Sequence, residues 1–403
     1  MSGTLPASSS GPIAAHGAER PWTVIQLLPA LHGGGVERST LEMAEALVRA
    51  GHRALVVSAG GRLVPQLEAL GAEHIALDIG RKSPLTLRHV RRLRRLFAET
   101  GADIVHARSR LPAWLTLLAW RGLPASARPR FVTTVHGLNS PSRYSAVMTR
   151  GERVICVSDT VRAYVLRHYP RTDPARLRII PRGVDPAMFP AAPVPDPAAR
   201  AWAAAQHPAL GGEGPLLLLP GRGTRLKGHA DALALLGNLR DEGLDARLWM
   251  PGAREPGREQ YIADLETEAA LGGFAHALAI TPPTDAIARA YAASDLVLQL
   301  SRKPESFGRT VIEALSCGRA VVGWAHGGVG ELLAELDPEG AVRAFDTEAL
   351  HSVVRARLAH RAPLPATMPG RLRRYDLARM RADTLACYAE LLSEPHQMRL
   401  AVE

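Results

Sequence analysis

Lysine is nearly missing from this 403-residue chain: only Lys82, Lys227 and Lys303 stand among 49 basic residues. Cysteine is as scarce. Cys156, Cys317 and Cys387 are odd in number and far apart, which argues against a disulfide framework and fits a reducing, cytoplasmic setting. Aromatic residues make up 5% of the chain, too few to interleave with cations as stacking platforms, so a nucleic-acid partner is not expected. No uninterrupted apolar run reaches the ~20 residues of a membrane-spanning helix. Residues 1–20 are rich in Ser, Gly, Ala and Pro and lack a basic leader followed by an apolar core. They read as a flexible tail and not as a signal peptide. Clustered Cys/His spacing for zinc, a GxSxG turn, a GxxxxGK[ST] loop and the GxGxxG spacing are all missing. So is an acidic pair of the DxD kind, and no metal is expected.

What is present is 46% hydrophobic residues, enough for two cores, and a net charge of +10 that is unevenly placed. Residues 1–185 hold 26 Arg/Lys against 13 Asp/Glu, a net of +13; the remainder holds 23 against 26, a net of −3. The first half either faces something anionic or carries solvated arginine. Within it, Arg88–Phe97 sets Val90, Leu93, Leu96 and Phe97, with Leu85, on one helical face and arginines around the rest. That pattern suits a helix lying on an anionic membrane surface, or one covering a sheet with a solvated outer face.

Short apolar runs alternate with helical spacing. In the first half strands are expected at Thr23–Pro29, Ala54–Val57, Ile75–Leu77, Ile104–Val105, Phe131–Val135 and Arg153–Val157, with helices at Val36–Ala50 and Thr160–His168. The pattern repeats with strands at Leu216–Leu219, Ala246–Met250, Leu278–Ile280, Leu296–Leu300 and Ala320–Gly323 and a helix at Ala230–Leu239. This alternation predicts an α/β fold of two doubly wound parallel sheets, Rossmann-like and facing each other across a cleft. Expected boundaries are a tail at 1–20, a first domain at 21–190, a linker at 191–213, a second domain at 214–375, and a segment 376–403 whose helix packs back on the first domain.

Pro304–Leu315 carries the most chemistry. Glu305 and Glu313 stand eight residues apart around Phe307, Gly308, Arg309 and Thr310, between an apolar strand and a helix. A strand, a Gly turn and a helix start present backbone N–H groups to a phosphate, and the two carboxylates offer acceptors to hydroxyls on either side. Phosphates flanked by hydroxyls describe a nucleotide sugar. Gly221–Gly228 follows the first strand of the second half, where Arg222 and Lys227 supply two cations for a diphosphate. Gly33, Gly34 and Gly35 follow the first strand of the first half and allow a close approach to a ligand. His136 sits after a strand, at the sheet edge where α/β sites lie. Arg108 and Arg110 share that edge, either to hold an anionic acceptor or as surface cations.

In this order and spacing the residues resemble the GT-B glycosyltransferases of the retaining family 4. The resemblance runs from about Thr23 to Leu392. It rests on the E-x7-E pair Glu305/Glu313, the Gly-rich first loop, His136-Gly137, Val157-Ser158, Arg182-Gly183-Val184-Asp185 with Phe189, Gly221-Arg222, Lys227-Gly228 and Gly327-Gly328. It implies that Arg222 and Lys227 hold the donor diphosphate, with Gly34, Gly35 and the Phe307–Thr310 backbone near donor phosphate or sugar. It implies Glu313 on the ribose, Glu305 at the donor sugar, and His136 over the reacting carbon. The implied chemistry is metal-independent front-face transfer with retention from a nucleotide-diphosphate sugar, UDP-sugar favoured, with no cofactor. Many members carry Asn in place of Arg182 and an apolar residue in place of Arg309. The stretches from His106 through Arg108 and Arg110 to Trp114, Pro181-Arg182-Gly183, and Phe307-Gly308-Arg309-Thr310 look closer to bacterial members that build cell-surface glycans, especially lipopolysaccharide core. This implies an anionic lipid-linked acceptor at the inner face of the cytoplasmic membrane. Transfer to a small soluble acceptor and a non-catalytic sugar-nucleotide-binding subunit are the alternatives.

Overall fold

A computed structural model describes residues 20–194, 196–360 and 363–395. The tail expected at 1–20 lies, but for Arg20, outside the described residues, as does the end of the segment 376–403 from 396 onward.

In the first lobe, β1 (Thr23–Leu27), β2 (Arg53–Ser58), β3 (Glu73–Ala76), β4 (Ile104–Ala107), β5 (Arg130–Val135), β6 (Arg153–Cys156) and β7 (Leu177–Ile179) form one parallel sheet ordered β3-β2-β1-β4-β5-β6-β7. In the second, β8 (Leu216–Leu218), β9 (Arg247–Pro251), β10 (Leu278–Thr281), β11 (Leu296–Gln299), β12 (Ala320–Trp324) and β13 (Ala341–Val342) form another, ordered β10-β9-β8-β11-β12-β13. The central strands of both sheets are buried on both faces, which is why most of them read as near-continuous apolar runs, whereas the edge strand β3 is largely exposed. Each strand order reverses once, between β1 and β4 and between β8 and β11. At such a reversal the flanking connections leave to opposite faces and open a crevice beyond the strand ends.

Two local expectations change. The segment 191–213 contains the helix Pro197–Gln206, capped by the Asp196 carboxylate on the Ala199 N–H at 2.9 Å. Its Pro falls at the first turn, where no N–H is needed, and its alanines are strong helix formers. The arginine-rich helix begins at His89, because Pro84 and the Ser83 cap wind Leu85 into a separate tight turn. Leu93 and Phe97 are buried in the lobe's core, so its apolar stripe covers the sheet, while Leu85 and Leu87 remain exposed.

The helix Leu377–Ser393 leaves the second lobe and lies on the first. Its Leu377, Met380, Cys387, Tyr388 and Leu391 share a core with Leu28, Leu41, Met43 and Val56. The crossing is fixed by backbone pairing: Val184 N–H donates to Tyr375 O and Leu377 N–H to Val184 O, both at 2.8 Å. A Cβ at Gly183 would lie 2.4 Å from Leu377 Cα, so glycine lets the two chains touch there.

Candidate active site in the interlobe cleft

The loops beyond both crevices face each other. A cavity of about 240 Å³ between them is lined by Gly35, Val36, His136, Val157 and Arg182 of the first lobe and by Glu305 to Arg309 of the second. Two helices begin at its wall, Gly35–Arg49 after Gly34 and Arg309–Ser316 after Gly308, and neither has a side-chain cap. Their first N–H groups therefore keep free hydrogen-bonding capacity, and both dipoles favour an anion. Gly308 holds φ 113°, and a Cβ there would lie 2.9 Å from Val329 Cγ2. The turn into the second helix thus depends on the missing side chain.

Glu305 is gripped from its own lobe. Lys227 Nζ and Ser301 Oγ each donate to Oε1 at 2.5 Å. Burial pushes its carboxyl up, but the charge and hydrogen bond of Lys227 and the bond from Ser301 outweigh it, and the group rests below its ordinary value. It is an anion, oriented by Lys227, and not a proton donor at neutral pH. Lys227 is therefore engaged, whereas Arg222 is exposed on the same loop without an ion pair among the described residues.

Glu313 is buried at the first turns of its helix. Its Oε1 accepts from Arg38 Nη1 of the first lobe and its Oε2 from the Tyr291 hydroxyl, both at 3.0 Å. Phe307 packs in the core with its ring 6.0 Å from that of Tyr375, and the residue also lines the cavity. Thr310 borders the buried Tyr291 hydroxyl. Gly35 lines the opposite wall, and Gly34 stands just before it at the start of the helix, outside the lining.

His136 is partly buried at the cavity wall. Ser306 Oγ donates to its carbonyl at 2.6 Å, and Ser158 Oγ donates to the Ser306 carbonyl at 2.6 Å, stitching one lobe to the other. Burial pushes the imidazole well below its ordinary value, and the nearby cations Arg182, Arg108 and Arg309 push the same way. The ring is neutral, and its Nε2 is buried without a partner. A neutral His in a site fitted for anions supplies a hydrogen bond without repelling a developing positive charge on a sugar ring.

Arg108 and Arg110 part company. Arg108 is buried, with Nη1 donating to Ser39 Oγ at 2.8 Å. Arg110 lies 5.4 Å over the Tyr144 ring and bonds Ser145 Oγ at 3.3 Å, away from the cavity walls. Arg309 sends Nη2 across the cleft to both Glu42 oxygens, at 2.6 and 2.7 Å. Arg38, Ser39, Glu42 and Tyr291 belong to this site and carry no motif that marks them. Only the i, i+4 spacing of Arg38 and Glu42 on one helix hints at their partnership.

Two lobes of parallel sheet with paired switch points, closing on an anion-seeking cleft, define a GT-B architecture. Residues 33–188 match the family model Glycosyltransferase Family 4, and residues 202–362 match Glycosyl transferases group 1. Together with the fold, these two matches support a GT-B glycosyltransferase that is family 4-like. It is 32% identical over 252 residues to a D-inositol 3-phosphate glycosyltransferase of Xylanimonas cellulosilytica, covering 59% of this chain and 58% of that protein. A glycosyltransferase from Rickettsia africae ESF-5 superposes with a TM-score of 0.80 at 25% identity, covering 94% of this chain and all of the other. Anabaena Alr3699/HepE, solved in complex with UDP and glucose, superposes with a TM-score of 0.78 at 18% identity, covering 92% and 100%. The chain thus spans under two thirds of the curated relative's length but the whole of both solved folds.

Proposed function

We propose that the chain moves a glycosyl group from a nucleotide-diphosphate sugar to a saccharide acceptor, with retention at the anomeric carbon and without a metal. The observation that carries this reading is the convergence of two uncapped helix N-termini with His136 and Glu305 on one cavity. The diphosphate lies toward Arg222 and Lys227 and takes backbone N–H bonds at Gly308–Thr310. Glu313 exchanges Arg38 for ribose hydroxyls, and Glu305 receives hydroxyls of the sugar. His136 donates or accepts a single hydrogen bond beside the reacting carbon. No side chain here is arranged as a strong general base. Orientation and charge stabilisation carry the barrier, with a donor phosphate oxygen taking the acceptor proton.

UDP is the favoured nucleotide, the one bound in the HepE fold relative. The acceptor belongs to cell-surface glycan synthesis, with lipopolysaccharide core the leading case. The exposed Leu85 and Leu87 beside exposed Arg88, Arg91, Arg92 and Arg95 support work at an anionic cytoplasmic membrane face. Among the described residues no helix is long and apolar enough to cross a membrane.

The test is a thermal-shift comparison of UDP, GDP and ADP, followed by turnover of the matching sugar nucleotides in EDTA. One nucleotide raises the melting temperature, because a ligand of the folded state stabilises it. Glu305→Ala keeps nucleotide binding and loses turnover by at least a hundredfold. A wild-type protein that neither binds nor turns over any of these nucleotides ends the proposal.

A further inference from the structure

The first-lobe wall of the cleft holds more positive charge than its own carboxylates neutralise. Arg38, Arg108, Arg182 and Arg309 meet there. Glu42 pairs with Arg309 and lies 3.5 Å from Arg38, while Glu313 takes Arg38 at 3.0 Å. Arg108 and Arg182 have no ion pair among the described residues. Both share the neutral Ser39 hydroxyl, at 2.8 and 3.1 Å, although both are more than nine-tenths buried. Arg182 Nε and Nη2, Arg309 Nε and Nη1, and Arg108 Nε are buried without a partner. The neighbouring His106 does not compensate: it is neutral and closed off by Tyr388 and Thr134.

A fork of guanidinium donors costs free energy when it is buried unpaired, and such a fork matches the oxygens of a phosphate. Burial, together with Arg108 and Arg309, pushes the Arg182 guanidinium down to about 9. Arg182 and Arg309 both line the cavity that holds His136 and Glu305. Arg108 stands behind Arg182, anchored to the same serine.

Resting on the transferase reading above, the geometry points to a second anion site, distinct from the donor diphosphate, in which Arg182 and Arg309, backed by Arg108, bind a phosphate monoester carried by the acceptor. Two features separate it from the donor cradle. Arg108 and Arg182 belong to the first lobe and are held by Ser39 of its first helix, whereas Arg222 and Lys227 come from the second. Arg309 is itself drawn to the first lobe by Glu42. The acceptor's phosphate then sits within one cavity of the reacting carbon, so the hydroxyl that attacks is close to the phosphorylated position. Arg110, outside the cavity, takes no part.

The experiment saturates the full-length protein with the nucleotide that stabilises it and titrates inorganic phosphate at fixed ionic strength, by calorimetry and thermal shift. A parallel arm uses glucose 1-phosphate against glucose. The expected result is saturable phosphate binding that does not compete with the nucleotide, and binding of glucose 1-phosphate but not of glucose. Arg182→Gln weakens phosphate tenfold or more while changing nucleotide affinity less than threefold. Arg182→Lys, which keeps the charge and loses the fork, weakens phosphate by an intermediate amount and guards against a folding defect. Phosphate that competes with the nucleotide, or variants that weaken both equally, assign the cluster to the donor and overturn the inference. No saturable phosphate binding to the nucleotide-loaded wild type overturns it too. Failure of every nucleotide to bind overturns instead the transferase reading on which it rests.

Discussion

Lys227 and Arg222 lie on one loop and are proposed to hold one diphosphate, yet their surroundings assign them different fates on mutation. Lys227 is half-buried against Glu305, so its removal takes away a ligand contact and leaves a carboxylate without its main partner. Arg222 is exposed and owes nothing to the fold. Each truncation is expected to weaken nucleotide binding by about tenfold to a hundredfold, the loss of a charged hydrogen bond of about 1.5–3 kcal/mol. Lys227→Ala alone also destabilises the free protein, by about 1 kcal/mol once partial exposure is discounted, and moves the Glu305 carboxyl upward. Urea unfolding of both variants without ligand checks this. Equal stabilities of the two variants refute the Lys227–Glu305 coupling.

At the scale of elements, the contact that closes the molecule is the backbone crossing of Gly183–Val184 with Asp376–Leu377. Gly183→Ala forces a methyl to 2.4 Å from Leu377 Cα, and the chains must separate or the helix Leu377–Ser393 must tilt. The expected cost is about 1–3 kcal/mol, typical of overpacking, read as a lower urea midpoint and faster amide exchange in that helix. The two-sheet pattern was legible because fully buried parallel strands leave unbroken apolar runs that polar turns interrupt. The helix Pro197–Gln206 was not, because its Pro and Ala content imitates a linker until the Asp196 cap is seen in place. Gly183-Val184-Asp185 could be recognised as a motif, but its partner lies nearly two hundred residues away and no local pattern announces it. The same holds inside the site. Glu305, Glu313 and Lys227 stand in recognisable spacings, whereas Arg38, Ser39, Glu42 and Tyr291 enter through tertiary neighbours that periodicity does not encode.

The whole molecule buries several histidines as neutral rings, and this sets its response to acid. His229 is fully enclosed near Tyr261; burial pushes its imidazole from 6.5 down to about 4, with Lys227 adding and the Thr224 backbone opposing. His106 and His136 are displaced in the same direction, each chiefly by burial. Above pH 6.5 the folded and unfolded chains hold these rings alike. Below it the unfolded chain takes up protons that the folded chain refuses, so stability falls with pH from about 6.5 toward 4. For His229 alone the difference between pH 7.5 and pH 5 comes to about 2 kcal/mol. The buried Trp249 and Trp324 of the same lobe report its unfolding. Urea titrations followed by their fluorescence at the two pH values are expected to show at least that loss, and His229→Gln is expected to reduce it by about 2 kcal/mol. A wild-type protein equally stable at both values would mean that these rings are open to protons in the folded state. The neutral His136 invoked in the proposed cleft chemistry would then be lost as well.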